Sequence, residues 1–220
     1  MKVASNQNNN AIDNIPSHDL ILVTGDLHIP DKTLNIPEEI KKVISLKKFS
    51  HVLCTGNVGN RNSYEFLKSL CNNPNSNFHI VKGDNLTEEN NIIGSSNNST
   101  NFPELKNVKI GDFNITIING HQIIPWGDYD SLLSISNENS SDIVISGYTH
   151  KPEVISYEGK YFINPGSLTG AYSPLVNDPA PSFMIFIISG DVCYLYHYEL
   201  NMTTKNFDVK KVEINKNKSE

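Results

Sequence analysis

The sequence predicts an α/β chain in which two mixed β-sheets pack face to face, with helices on the outside. Three observations carry that expectation. The first third alternates short apolar strands with amphipathic helices, and the second half is rich in strands joined by tight glycine turns. The length, 220 residues, suffices for one sizeable core but not comfortably for two.

Residues 18–24 form an apolar run that ends at Gly25-Asp26, the pattern of a buried strand leading into a functional loop. Residues 37–46 open on proline at a first-turn position, continue with two acids and carry Ile40, Val43, Ile44 and Leu46 at helical spacing. A strand over 51–55, a helix over 63–71 and a strand over 78–81 complete a βαβαβ rhythm, which calls for right-handed crossovers and a mostly parallel sheet. Further on, residues 108–110 and 113–118 form a hairpin around Gly111-Asp112, and 143–146 form another strand ending in a loop. Residues 152–157 pair with 160–164 around Glu158-Gly159, and 182–188 with 192–200 around Gly190-Asp191.

Residues 19–200 therefore read as one domain. Residues 1–18 are polar and aperiodic and are expected to be a disordered leader. Asparagine-rich stretches near 72–77 and 86–101 read as loop insertions. Residues 201–220 read as a C-terminal strand and a polar tail, the lysine- and asparagine-rich end starting after about Val212.

Composition excludes several functions. A net charge of −6 gives no basic footprint for nucleic acid and no direct attraction to acidic membranes. The three cysteines, Cys54, Cys71 and Cys193, show no paired spacing, so neither a disulfide framework nor a zinc clip is expected. The N-terminus has no apolar segment of signal-peptide type, and the longest apolar run, 183–188, is far too short to span a membrane.

Chemistry concentrates at the strand ends. Gly25-Asp26-Leu27-His28, Gly56-Asn57, Gly83-Asp84-Asn85, Gly120-His121 and Gly147-Tyr148-Thr149-His150 each set a glycine beside a residue that could hold a metal, just after an apolar strand. Glycine lets the backbone turn sharply while carboxylate, amide and imidazole groups converge above the sheet edge. Such hard-to-intermediate ligands suit Mn²⁺, Fe²⁺ or Zn²⁺. Each fragment alone is a common accident; their order, on one side of successive strands, makes one site of them.

This ordered set resembles the metallophosphoesterase superfamily, whose pattern is D-x-H, G-D, G-N-H-[D/E], a later G-H, and G-H-x-H. More narrowly, GDLHIP, HVLCTGN, GHQIIPWGD, INPGSLTGAY and PSF are similar to the branch that serves as the small subunit of retromer. The resemblance implies the four-layer α-β-β-α sandwich of that superfamily. It places Asp26, His28 and His150 on a first metal, Asn57 at the bridging position, and Asp84, His121 and Tyr148 at a second.

Three departures from the pattern point to a degenerate enzyme. Asn57 is neutral where a carboxylate should hold two dications together. Tyr148 stands for a histidine, and a phenol with an ordinary pKa near 10 is a poor ligand at neutral pH. Asn85 stands for the catalytic histidine, so the proton donor for the leaving group is missing. The expectation is a non-catalytic scaffold that binds at most one divalent metal, Zn or Mn, weakly and without requiring it. The alternatives are an active metal-dependent phosphoesterase and a free-standing metal-binding regulator.

Two partner surfaces follow from the resemblance. Ile123, Ile124 and Trp126, on a loop held extended by Pro125, would meet the C-terminal helical solenoid of retromer's largest subunit. A sheet face bearing Leu20, Ile185, Tyr196 and Tyr198 would receive apolar motifs from regulators of endosomal GTPases. The implied location is cytoplasmic, and peripheral on endosomal membranes through the complex.

Overall fold

The computed structural model describes residues 18–85 and 102–216. Nearly all of the expected leader, the 86–101 insertion and the last four residues of the tail lie outside them.

The first sheet has the order β11-β10-β9-β1-β2-β3. It comprises β1 (Asp19–Thr24), β2 (His51–Cys54), β3 (Phe78–Ile80), β9 (Ser182–Ser189), β10 (Val192–Leu200) and β11 (Phe207–Asn215). The first three are parallel, as the βαβαβ rhythm requires, but β9 runs antiparallel to β1 and to β10, and β11 antiparallel to β10. The sheet is thus mixed rather than mostly parallel: the late hairpins join the same sheet as the early crossovers. The tail also begins later than expected. Strand β11 stays paired to Asn215 opposite Val192, because Ile214 is buried in the core and Val212 packs against it.

The second sheet has the order β4-β5-β6-β8-β7. Its strands are β4 (Leu105–Ile110), β5 (Phe113–Ile118), β6 (Ile143–Ser146), β7 (Glu153–Tyr157) and β8 (Lys160–Asn164). Between the sheets lie Ile21, Val23, Leu53, Phe113, Ile115, Ile117, Ile145, Phe186 and Leu195. Outside the first sheet, helices α1 (Glu38–Ile44) and α2 (Arg61–Ser69) bury Ile40, Ile44 and Leu67 against Leu22 and Phe183. Pro37 precedes α1 as its cap instead of entering its first turn. The 72–77 stretch is a turn leading into β3.

A third helix, α3 (Tyr129–Glu138), was not evident from the sequence and covers the second sheet through Leu132 against Val144 and Phe162. Its start is fixed by Asp128, whose carboxylate accepts hydrogen bonds from the Ser131 N–H at 2.9 Å and hydroxyl at 2.7 Å. The result is the four-layer α-β-β-α sandwich. All three cysteines are free and buried. Among the described residues no helix is long and apolar enough to cross a membrane.

His79 on β3 and His197 on β10 are buried, and His79 Nε2 sits 3.2 Å from His51 Nδ1. Burial, with the charges of Lys106 and His51 adding to it, pushes the His79 imidazole down to about 4, and burial also lowers His197. Between pH 4 and 6.5 the unfolded chain therefore binds protons that the folded chain does not, so stability falls as the pH falls through that window. His79 alone should remove roughly 2 kcal/mol between pH 7 and pH 5. Urea unfolding at several pH values should show a shallower pH dependence for His79→Leu than for wild type; identical slopes would acquit His79.

Candidate metal centre

The site sits at the ends of β1, β2 and β6, where the backbone is bent out of extended geometry. Asp26, His28, Asn57, Tyr148 and His150 all have left-handed φ, between 48° and 72°. Non-glycine residues adopt that conformation at a cost of order 1 kcal/mol or more each, and it persists where surrounding structure over-determines it. The glycine beside Tyr148 acts through its lack of a side chain. A Cβ on Gly147 would lie 2.6 Å from Asp26 Oδ2 and 2.6 Å from Thr55 Oγ1, so nothing larger fits against the carboxylate.

Asp26, His28 and His150 are buried, and their ligand atoms lie within 4.8 Å of one another. His28 Nε2 is 3.2 Å from His150 Nε2 and 4.0 Å from Asp26 Oδ1. His150 Nδ1 donates to the carbonyl of Ala171 at 2.6 Å, which leaves Nε2 as the lone-pair nitrogen turned to the site. Burial pushes this imidazole down to about 4, so it is neutral and able to ligate at pH 7. Asp26 Oδ2 accepts the Tyr148 N–H at 2.7 Å, whereas the buried Oδ1 has no hydrogen-bond partner. Burial raises the Asp26 carboxyl to about 7 against the pull of His28 and the Tyr148 amide. An orphaned buried carboxylate oxygen facing two imidazole nitrogens fits one divalent cation. His150→Ala should weaken Zn²⁺ binding, read by calorimetry, by more than the roughly 10–100-fold lost when only an outer-shell partner is removed. Unchanged affinity would place the ion elsewhere.

The second position looks different. Asp84 is exposed and accepts the Asn57 Nδ2–H at 2.6 Å. Asn57 Oδ1 accepts from Nδ2 of Asn119, a fully buried residue that sequence reasoning passed over because Asn119-Gly120 reads as a turn. His121, expected as a ligand, lies outside the converging group; its Nδ1 is 2.9 Å from Asn119 Oδ1. Only Gly120 separates them, and Asn119 is the more deeply buried of the two. Burial, then the charges of Asp84 and Asp26, raise the Tyr148 phenol further above its usual value. Asn85 donates to Asp31 at 3.2 Å.

The two loops that supply Trp126 and Leu175 to this cleft carry exposed apolar side chains. Ile124 is 80% exposed, Tyr172 65%, and Trp126 and Leu175 47% each. Trp126 and Leu175 line a cleft of about 90 Å³ together with His28, Asp84, Tyr148 and His150. Trp126 packs edge-on to Tyr148, with ring centroids 5.1 Å apart. Ile123, expected on the partner surface, is 3% exposed and packs in the core with Leu132 and Phe162. The loop is a series of turns with a cis Ile124–Pro125 bond rather than an extended segment, yet the two isoleucines still point opposite ways. Tyr172, the last residue of the INPGSLTGAY run, and Leu175 just beyond it were missed as surface residues, because the segment has no periodicity.

Strand register puts Leu20, Ile185, Tyr196 and Tyr198 on one face of the first sheet, the face away from the second sheet, all half-buried. Tyr198 stacks on Phe183 at 4.9 Å, while Lys211 lies over Tyr194 at 4.3 Å and reaches Tyr196 at 5.9 Å.

The family model of the calcineurin-like phosphoesterase superfamily domain matches residues 20–191. Vacuolar protein sorting-associated protein 29 of Schizosaccharomyces pombe is 32% identical over 185 residues, covering 82% of this chain and 91% of its own. The structure of Vacuolar Protein Sorting 29 from Cryptosporidium parvum superposes with a TM-score of 0.81 at 36% identity, over 90% of this chain and 98% of that one. Vps29 of Entamoeba histolytica, solved in complex with Zn²⁺, gives 0.74 at 37% identity over 90% and 99%. The chain belongs to the calcineurin-like phosphoesterase superfamily and, within it, to the family of vacuolar protein sorting-associated protein 29.

Proposed function

We propose that the chain is a non-catalytic scaffold subunit of the retromer cargo-recognition complex, acting in retrograde protein transport from endosomes to the Golgi and plasma membrane. The observation that carries this reading is the exposed apolar surface of Trp126 and Leu175 at the cleft, together with Ile124 and Tyr172 exposed on the same two loops. Apolar surface concentrated in this way is what a protein interface uses. Membership of the Vps29 family supports the choice of partner, the C-terminal helical solenoid of retromer's largest subunit. The chain is then cytoplasmic and reaches endosomal membranes through that complex, in keeping with its acidic charge.

The half-buried sheet face of Leu20, Ile185, Tyr196 and Tyr198 is the second docking surface, for apolar motifs of regulators of endosomal GTPases. Asp26, His28 and His150 hold at most one divalent metal, Zn²⁺ or Mn²⁺, weakly, and scaffolding does not require it. The zinc complex of the Entamoeba relative supports that assignment. The same three residues are what favours the other reading, an active metal-dependent phosphoesterase.

Calorimetry of the full chain against the purified solenoid tests the proposal. Binding with a Kd of about 1–100 nM is expected. No heat at 10 µM protein, on the order of ten thousand times weaker than a nanomolar complex, would overturn it.

A further inference from the structure

The second metal position does not fit a cation in this chain, and we propose that a relay of side-chain amides centred on Asn119 closes it, leaving a one-cation site. The inference rests on the metal assignment above and is independent of which partner docks.

A two-metal centre holds its ions roughly 3.5–4 Å apart and needs a shared anion to offset their repulsion. Here the chain of contacts runs from His121 to Asn119, then to Asn57, then to Asp84. Asn119 Nδ2 donates both to the carbonyl of Thr55, at 2.7 Å, and to Asn57 Oδ1, at 2.6 Å. Asn57 Nδ2 donates to Asp84 Oδ1 at 2.6 Å. The amide orientations are fixed at both ends. A backbone carbonyl and a carboxylate can only accept, so Asn119 must turn its nitrogen to Thr55 and Asn57 its nitrogen to Asp84. Each Oδ1 is thereby left facing the next donor, and His121 Nδ1 must carry the proton it gives to Asn119 Oδ1.

The consequence for a cation is direct. Asn57 presents N–H, a positive dipole end, where the bridging position would need an anion. One lone pair of its carbonyl oxygen accepts from the fully buried Asn119, which holds the amide with its N–H towards Asp84. Turning the Asn57 oxygen towards a cation would also break the charge-assisted hydrogen bond to Asp84. Tyr148 offers a neutral phenol. The first position has the opposite character, with Asp26 Oδ1 buried and unpartnered.

Mn²⁺ titration of the full chain, followed by calorimetry and by electron paramagnetic resonance at low temperature, tests this without any activity readout. Wild type should bind one Mn²⁺ with the six-line spectrum of an isolated ion. Tyr148→His alone, which keeps the relay, should still bind one. Asn57→Asp/Tyr148→His, which removes the amide N–H and returns an anion to the bridging position, should bind two, with the more closely spaced lines of an exchange-coupled pair. A coupled pair in wild type, or in Tyr148→His, overturns the proposal, as does a folded double variant that binds a single ion. Wild type and Tyr148→His decide the matter should the double variant not fold. Loss of solenoid binding, measured separately, would count against the docking reading and leave this one standing.

Discussion

Ile124→Asp is expected to abolish binding to the retromer solenoid while moving the melting temperature by no more than about 2 °C. The geometry makes the two effects separable. Ile123 anchors the loop in the core at 3% exposure, Asp128 caps the helix that follows, and Ile124 projects between them at 80% exposure. Removing it disturbs no intramolecular packing, and surface substitutions of this kind usually stay within about 0.5 kcal/mol. In the proposed complex the same side chain would be buried against the partner, with Trp126, Tyr172 and Leu175 as further exposed apolar residues of the two loops. A carboxylate buried there without a counter-charge costs several kcal/mol, and about 4 kcal/mol already turns a nanomolar Kd into a micromolar one. Calorimetry and thermal unfolding by circular dichroism read the two effects. Normal binding by the variant would show that the interface lies elsewhere. The companion change Ile123→Asp should do the reverse of the control, lowering stability sharply, because it places a charge beside Leu132 and Phe162.

What could be read in the sequence followed from how local its cause was. The strands announced themselves because two-sided burial makes near-continuous apolar runs, as in Ile143–Ser146, where all four residues are buried. The convergence of Asp26 and His28 was legible because their spacing is fixed within one strand-end loop. Helix α3 was not, since YDSLLSISNE is rich in serine and its stability comes from an Asp128 cap and from tertiary packing on Val144 and Phe162 of the second sheet. Asn119 was missed for a related reason: its partners, Thr55 and Asn57, lie more than sixty residues away, and nothing local distinguishes it from a turn asparagine. His121 drew attention in its place because imidazole is the better ligand in isolation, although position 119 is the one aimed inward. Likewise the glycines signalled sharp turns, whereas Gly147 is small because the Asp26 carboxylate and Thr55 pack against it.

The purified chain is expected to show no metal-dependent hydrolysis of an aryl phosphodiester above the background of the metal alone. Attack on phosphorus in the two-metal architecture draws on a hydroxide activated between the ions, charge neutralisation on the phosphoryl oxygens, and a proton for the leaving group. The first position, with Asp26, His28 and His150, provides for one ion only. By the resemblance the proton donor would stand at Asn85, whose amide donates to Asp31 and has no proton to give at neutral pH. General acid help of that kind is worth about 10²–10⁴ in rate. The remaining cationic side chain of the cleft is Lys32, which can attract a phosphate but cannot replace a second dication. A kcat in the ordinary range of about 1–10³ s⁻¹ with Mn²⁺ or Zn²⁺ would defeat this expectation and restore the phosphoesterase reading. Asn85→His offers a sharper form of the test. It restores the acid but not the second ion, so the rate should remain at background; activity appearing from that single change would mean that one cation suffices here and that the missing acid alone had silenced the site.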